Sequence, residues 1–331
     1  MSTPANIDNN NRVINYLRLS ITDRCNLRCI YCMPDEGMQF IPHHDILTYE
    51  EMLQLVRIAV RIGIRKVRLT GGEPLIRKGF MGFLKDLTQI QELKDISLTT
   101  NGVLLKQFAG DIKACGISRI NVSMDSLRPD RFFHITKRDY FDRVWEGILE
   151  AERLGFQPIK LNVVAMRGIN DDEILDFARL TLKKPYHIRF IEFMPVGEQN
   201  GWNQKNFIPI KEIHDRIQTL GALKPIMSET FDGPAENFIL EGGKGKLGLI
   251  GALSHHFCAN CNRMRLTAEG RLRGCLFSDD EIDIKTPLRQ GKGDSHIRDL
   301  MELAIKNKPK DHGLMDLERR KCVRNMSSIG G

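Results

Sequence analysis

Six of the eight cysteines fall into two triplets. Cys25, Cys29 and Cys32 form C-x3-C-x2-C, and Cys258, Cys261 and Cys275 form C-x2-C-x13-C. Clustered cysteines outside a secreted setting bind metal more often than they form disulfides. Iron–sulfur clusters are commonly held by four thiolates, so a triplet leaves one iron open to a cofactor or substrate. Zinc is the alternative at each triplet, completed by His43 or His44 at the first and by His255 or His256 at the second. Cys115 and Cys322 have no close cysteine neighbours. Cys115 ends a predicted helix and reads as a core residue, and Cys322 reads as a free thiol.

Two further groups stand beside these triplets. Gly71-Gly72-Glu73-Pro74 follows a short strand, and paired glycines let a backbone approach a ligand closely. Arg263 and Arg265 come just after Cys261, and planar guanidinium groups suit a phosphate or a purine edge. An ordinary glycine turn and solvated arginines are the plain alternatives.

Alternating segments must position these residues. Strands are expected at Val13–Ile21, Val67–Thr70, Ile96–Thr100, Ile120–Met124, Ile159–Ala165 and Ile188–Met194. Helices are expected after Thr48, which has Glu51 three residues on as in a capping box, and at Phe80–Ile90, Val103–Cys115, Tyr140–Leu154 and Asp171–Leu182. Gly155 marks a helix stop. About six strand–helix units with crossovers of this length argue for a parallel α/β sheet, open or curving toward a barrel. Six units are too few for a closed eight-stranded barrel. After Pro195 the alternation ends. Residues 197–235 read as loop with one helix near Ile208–Leu220. Asn237–Phe277 reads as short strands, Ile282–Lys308 as helix interrupted at Pro287 and Gly291, and Met326–Gly331 has no clear pattern. Residues 1–12 read as a disordered tail.

The 331 residues are 41% hydrophobic and 27% charged, with a net charge of +7. That suits a sizeable core and a basic surface or pocket for an anionic partner. Lys and Arg form no long run, and no nucleic-acid-binding motif is present, so a phosphorylated small molecule is favoured over nucleic acid. No stretch reads as an export signal or a membrane span, and a cytoplasmic protein is expected.

The run Thr22-Asp23-Arg24-Cys25-Asn26-Leu27-Arg28-Cys29-Ile30-Tyr31-Cys32-Met33-Pro34, followed by the Gly-Gly-Glu-Pro turn, resembles the signature of radical S-adenosylmethionine enzymes. Within that superfamily Cys261-Asn262-Arg263-Met264-Arg265, Arg273-Gly274-Cys275-Leu276-Phe277 and the final Gly330-Gly331 are similar to the GTP 3′,8-cyclase family, and the likeness runs from about Val13 to Gly331. The resemblance implies a partial (βα)6 barrel over residues 13–232 and a second-cluster region with a Gly-Gly tail over 233–331. It implies two [4Fe-4S] clusters, one on Cys25, Cys29 and Cys32, the other on Cys258, Cys261 and Cys275. S-adenosylmethionine would meet Tyr31, Gly72, Ser123 and Met194. GTP would meet Arg18, Arg68, Thr99 (with Thr100 nearly equivalent), Lys160, Arg263, Met264 and Arg265. The tail, with Gly330 and Gly331, would reach into the active site. The implied reaction converts GTP to 3′,8-cyclo-7,8-dihydro-GTP, the first step of molybdenum cofactor biosynthesis, after radical abstraction of the ribose 3′ hydrogen. Implied partners are an electron donor protein, a downstream cyclic pyranopterin monophosphate synthase and a second copy of the chain as homodimer.

Overall fold

The computed structural model describes residues 5–33, 39–197, 200–227, 233–312 and 322–330. Among the described residues there are twelve strands: β1 Tyr16–Ser20, β2 Lys66–Thr70, β3 Asp95–Thr100, β4 Ile120–Ser123, β5 Ile159–Ala165, β6 His187–Glu192, β7 Leu223–Ile226, β8 Glu236–Leu240, β9 Lys246–Ile250, β10 Arg263–Leu266, β11 Arg271–Arg273 and β12 Ile282–Asp283. They form one sheet in the order β12-β11-β10-β1-β2-β3-β4-β5-β6-β9-β8-β7. The eight central strands, β10 through β9, run parallel. Each of β1 to β6 is followed by at least one helix, the expected six units. The C-terminal region does more than extend this array. It supplies β10 against β1 and β9 against β6, so it borders both edges.

The helix Tyr49–Ile62 shows how local sequence sets this frame. Its N-cap is the expected capping box, with the Glu51 amide donating to Thr48 and the Thr48 amide donating to Glu51. Met52, Leu55, Val56 and Ala59 recur at helical spacing and are buried against the sheet. Each such Met, Leu or Val contributes about 1.5–3 kcal/mol by leaving water.

The strands divide by period two. Leu17 and Leu19, Val67 and Leu69, Leu161 and Val163, Ile188 and Phe190 belong to the apolar core. The alternate residues, Tyr16 and Arg18, Arg68 and Thr70, Asn162 and Arg189, line an inner cavity. Parallel strands covered on both faces are usually apolar throughout. A polar inner face therefore marks a ligand chamber.

Two expectations are corrected and one element is added. Residues 5–12 are not a loose tail: Asp8 and Arg12 are buried and ion-paired at 2.6 Å, and Ile7 bridges Val13. Pairing removes the cost of burying either charge alone. Residues 326–329 form a short helix, with Ser327 and Ile329 fully buried beside Val196 and Cys322. A helix at Pro129–Thr136, which the sequence reading left out, follows β4 and begins with proline at its first turn. Proline fits there because that N–H has no helical partner.

Candidate active site

Both cysteine triplets line one cavity of about 280 Å3 at the carboxyl ends of the strands. Ligands of parallel α/β folds bind at this end. The first triplet sits in the loop after β1. That loop is fastened to the unforeseen helix: the Arg28 amide donates to Thr136 and the Ile30 amide to Ile135. Within it the Cys32 and Met33 amides both donate to the Cys29 carbonyl, each at 2.9 Å. Asn101 donates to the Cys25 sulfur at 3.4 Å and to Asn26 at 2.7 Å. Burial, aided by Glu73, pushes the Cys25 thiol up to about 11. Burial likewise holds Cys29 well above its ordinary range and pushes Cys32 up to about 12. Thiols raised in this way ionise readily only with a metal's charge beside them.

Gly71 and Gly72 line the cavity and pack closely on the backbone of the cysteine loop. A Cβ on Gly72 would lie 2.1 Å from the Arg24 carbonyl oxygen, and one on Gly71 would lie 2.4 Å from that of Thr22. Glu73 behind them is fully buried and accepts from the amides of Leu75 and Asn101 and the hydroxyl of Thr100. Burial raises its carboxyl to about 7. Thr100 is therefore engaged within the protein. The buried Thr99 hydroxyl has no hydrogen-bond partner among the described residues and lines the cavity. The Thr70 hydroxyl, the Tyr16 hydroxyl and the Asn162 carbonyl oxygen are in the same condition. Such groups cost free energy when left without a partner, so they fit a polar ligand. Tyr31 lines the cavity and donates to Asp125 at 2.7 Å, which also accepts from the Val164 amide. Burial pushes Asp125 up to about 6. Ser123 and Met194 line the same cavity.

The second triplet begins in a short turn, Cys258–Asn260. Burial would raise the Cys261 thiol, but Arg263 and Lys308 outweigh it and bring the thiol down to about 6. Arg263 also stacks over Phe257 at 4.7 Å. Among the described residues, His256, Cys258 and His312 place ligand atoms within 4.8 Å of one another. These residues suit metal binding, and His255 instead pairs with Glu236.

The wall of this cavity is cationic. Arg18 stands in register with Arg68 on one side and Arg265 on the other, and Arg263 and Arg189 line the same space. Burial and then Arg265 hold Arg18 well below its ordinary value, and burial with Arg263 brings Arg265 to about 10. Burial alone would raise the Tyr16 hydroxyl, yet the surrounding Arg68, Arg18, Lys66 and Arg263 bring it below its ordinary value. A positive field of this strength suits a polyanion.

Two expected contacts are displaced. Met264 turns into the apolar core, as alternation between Arg263 and Arg265 requires, so its side chain does not reach the cavity. Lys160 is buried on β5 opposite Asn121 and His187, on the same strand face as Asn162 but below the lining residues. The sequence reading missed Arg189, which donates to Asn121 at 2.6 Å. Its signal was the alternation His187-Ile188-Arg189-Phe190. The tail does reach the chamber: Arg265 donates to the Gly330 carbonyl at 2.7 Å. Gly330 has φ +83°, and a Cβ there would lie 2.5 Å from the Thr70 hydroxyl. Gly331 lies outside the described residues.

Residues 19–181 match the Radical SAM superfamily and residues 186–314 match Molybdenum Cofactor Synthesis C. The chain is 53% identical to the GTP 3′,8-cyclase of Thermodesulfovibrio yellowstonii over 98% of its own length and 99% of the relative's. It is 51% identical to that of Desulforamulus reducens over 98% and 100%. Among solved structures it is similar to Streptococcus suis SuiB bound to S-adenosylmethionine, with TM-score 0.58 and 14% identity, covering 83% of this chain but 64% of SuiB's. It is also similar to anSMEcpe with bound AdoMet, with TM-score 0.57 and 15% identity, over 92% and 84%. At these identities the two structures support the fold alone. With its two cysteine triplets facing one cationic chamber, the chain belongs to the GTP 3′,8-cyclase family of the radical SAM superfamily.

Proposed function

We propose that the protein cyclises GTP to 3′,8-cyclo-7,8-dihydro-GTP, as the names of its relatives imply. The observation that carries this is one chamber lined by both thiol triplets and by Arg18, Arg68, Arg189, Arg263 and Arg265. Cys25, Cys29 and Cys32 would hold the first [4Fe-4S] cluster, and Cys258, Cys261 and Cys275 the second. Gly72, Tyr31, Ser123 and Met194 would hold S-adenosylmethionine, which supplies a 5′-deoxyadenosyl radical when bound and reduced. The arginines take the triphosphate and base by charge-assisted bonds. The Thr99 hydroxyl offers the hydrogen bond that Thr100 gives to Glu73. Lys160 supplies charge from below. The tail, through Gly330, covers the chamber and excludes water around reactive species. An electron donor protein, a downstream cyclic pyranopterin monophosphate synthase and a homodimeric state complete this reading. Among the described residues no helix is long and apolar enough to cross a membrane, which agrees with cytoplasmic action.

The test is anaerobic reconstitution with iron and sulfide, then incubation with S-adenosylmethionine, GTP and a reductant. About eight irons per chain, 5′-deoxyadenosine and a cyclised nucleotide are expected. The grouping of His256, Cys258 and His312 favours a second reading in which the second triplet holds zinc. Stoichiometric zinc with about four irons would establish that reading instead.

A further inference from the structure

The second triplet has no long element of its own. Cys258 and Cys261 lie around a three-residue turn, and Cys275 follows β11 across a hairpin. What holds these arms in place comes from a distant part of the chain. Lys308 follows the helix Gly293–Lys306 and is 4% exposed. Its ammonium donates to the Arg263 carbonyl at 2.9 Å and to the Gly274 carbonyl. One cation thus spans the residue two after Cys261 and the residue just before Cys275. The Gly274 position is close enough to Lys308 that a Cβ there would lie 3.2 Å from the Lys308 Cα.

Arg12 fixes this lysine from the other side. Its guanidinium donates to the carbonyls of Cys258 at 2.8 Å, Pro309 at 2.6 Å, Lys310 at 3.0 Å and Lys308 at 3.3 Å. The first cysteine of the triplet and the 308–310 segment therefore hang from one side chain. Asp8 holds that side chain by its Nε. The charges opposed to the Lys308 ammonium are Cys261 and Cys275, and the like charges are Arg263 and Arg12. Lys308 does not line the cavity, and its ammonium is held by main-chain carbonyls on either arm.

We propose that Lys308, seated by Arg12, is the positioning residue of the second metal site, clamping the Cys261 and Cys275 arms together and supplying the buried positive charge against which their thiolates hold metal. This rests on the two-cluster reading, but the role concerns the thiolates whatever metal they carry. Outer partners of metal ligands typically account for about 10- to 100-fold in affinity. A buried cation beside an anionic redox centre also favours the reduced form, which raises its potential.

The experiment uses the full chain with Lys308→Met, Lys308→Gln and Lys308→Arg, each reconstituted anaerobically. Iron, sulfide and zinc are counted, and loss of metal to a chelator is followed. Redox titration by electron paramagnetic resonance is run on chains that also carry Cys25→Ala, Cys29→Ala and Cys32→Ala, so the second site alone is seen. Lys308→Met and Lys308→Gln should retain first-site iron and S-adenosylmethionine cleavage. They should hold second-site metal about 10- to 100-fold less tightly and shift the remaining signal to more negative potential. Lys308→Arg should restore both. Wild-type retention and potential in Lys308→Met and Lys308→Gln would overturn the proposal. So would loss of both sites together, or failure of arginine to rescue. If the wild-type site holds zinc, the two-cluster reading fails, and the clamp is judged on zinc retention in the same variants.

Discussion

Arg265 shows what a ligand chamber costs before its ligand arrives. It is 6% exposed, stands beside Arg18 in register and shares a strand face with Arg263. Like charges in a low-dielectric wall repel, and their field brings Arg265 to about 10 after burial has lowered it. The cation cluster is therefore poised for an anion rather than built for stability. Arg265→Ala should leave the ligand-free chain as stable as wild type or more so, while GTP binding weakens about ten- to one-hundred-fold, the worth of one hydrogen bond to a charged group. Thermal melts with and without GTP check this: the ligand-induced rise in Tm should shrink while the ligand-free Tm does not fall. A markedly lower ligand-free Tm would show that Arg265 serves the fold through Gly330 instead.

At the scale of the element, β6 carries a second consequence of the polar inner face. His187 opens that strand, 4% exposed, with Arg189, Lys160 and Lys246 around it. Burial, followed by those three cations, lowers its imidazole from 6.5 to about 2. The folded state thus keeps His187 neutral, whereas the unfolded chain protonates it as pH drops below 6.5. Its contribution is complete above that pH and is lost on acidification. Between about pH 6.5 and 5 the loss reaches up to roughly 2 kcal/mol, from the linkage slope of about 1.36 kcal/mol per unit. Urea midpoints across that range should fall more steeply for wild type than for His187→Gln, and parallel curves would remove His187 as the cause. The same strand explains what the sequence disclosed. Alternation in His187-Ile188-Arg189-Phe190 makes the strand legible, and so do the turn glycines and the Thr48–Glu51 box, because these are local rules. The cysteine spacings and the glycine pair were legible because metal and backbone chemistry restrict residue type. The Met264 contact came from the family resemblance, although a strand must turn that side chain away from Arg263 and Arg265. The Pro129–Thr136 helix carries a weak local pattern and owes its place to the loop it fastens. The burial of Asp8 and Arg12 depends on carbonyls some 250 to 300 residues away, which no local pattern reports.

For the whole molecule, the sheet order makes the two halves mutually dependent. Residues 13–232 were read from sequence as the barrel core and 233–331 as an added region, yet both edge strands of the six-unit array are covered from the second part. Tyr16 to Leu19 pair with Arg263 to Leu266, and His187 to Ile191 pair with Lys246 to Ile250. A chain ending at residue 232 would leave both of these strands with open backbone donors and acceptors, and β7 without β8. Open edges of parallel sheets are templates for association. The same truncation would uncover Arg18 on one flank and Arg189 on the other, removing the neighbours that enclose the chamber. Closure also comes late, since β1 meets β10 across about 245 residues of chain, and contacts so remote form slowly. The 1–232 fragment should therefore be recovered mainly as aggregate, with soluble yield far below that of the full chain, and its soluble part should lack a cooperative thermal transition. Co-expression with a separate 233–331 fragment should raise the soluble yield, because that fragment carries the strands both edges need. Size-exclusion chromatography and far-ultraviolet circular dichroism of the fragments provide the check. A monomeric, cooperatively melting 1–232 fragment would mean that the barrel core folds by itself and that the second region is only attached to it.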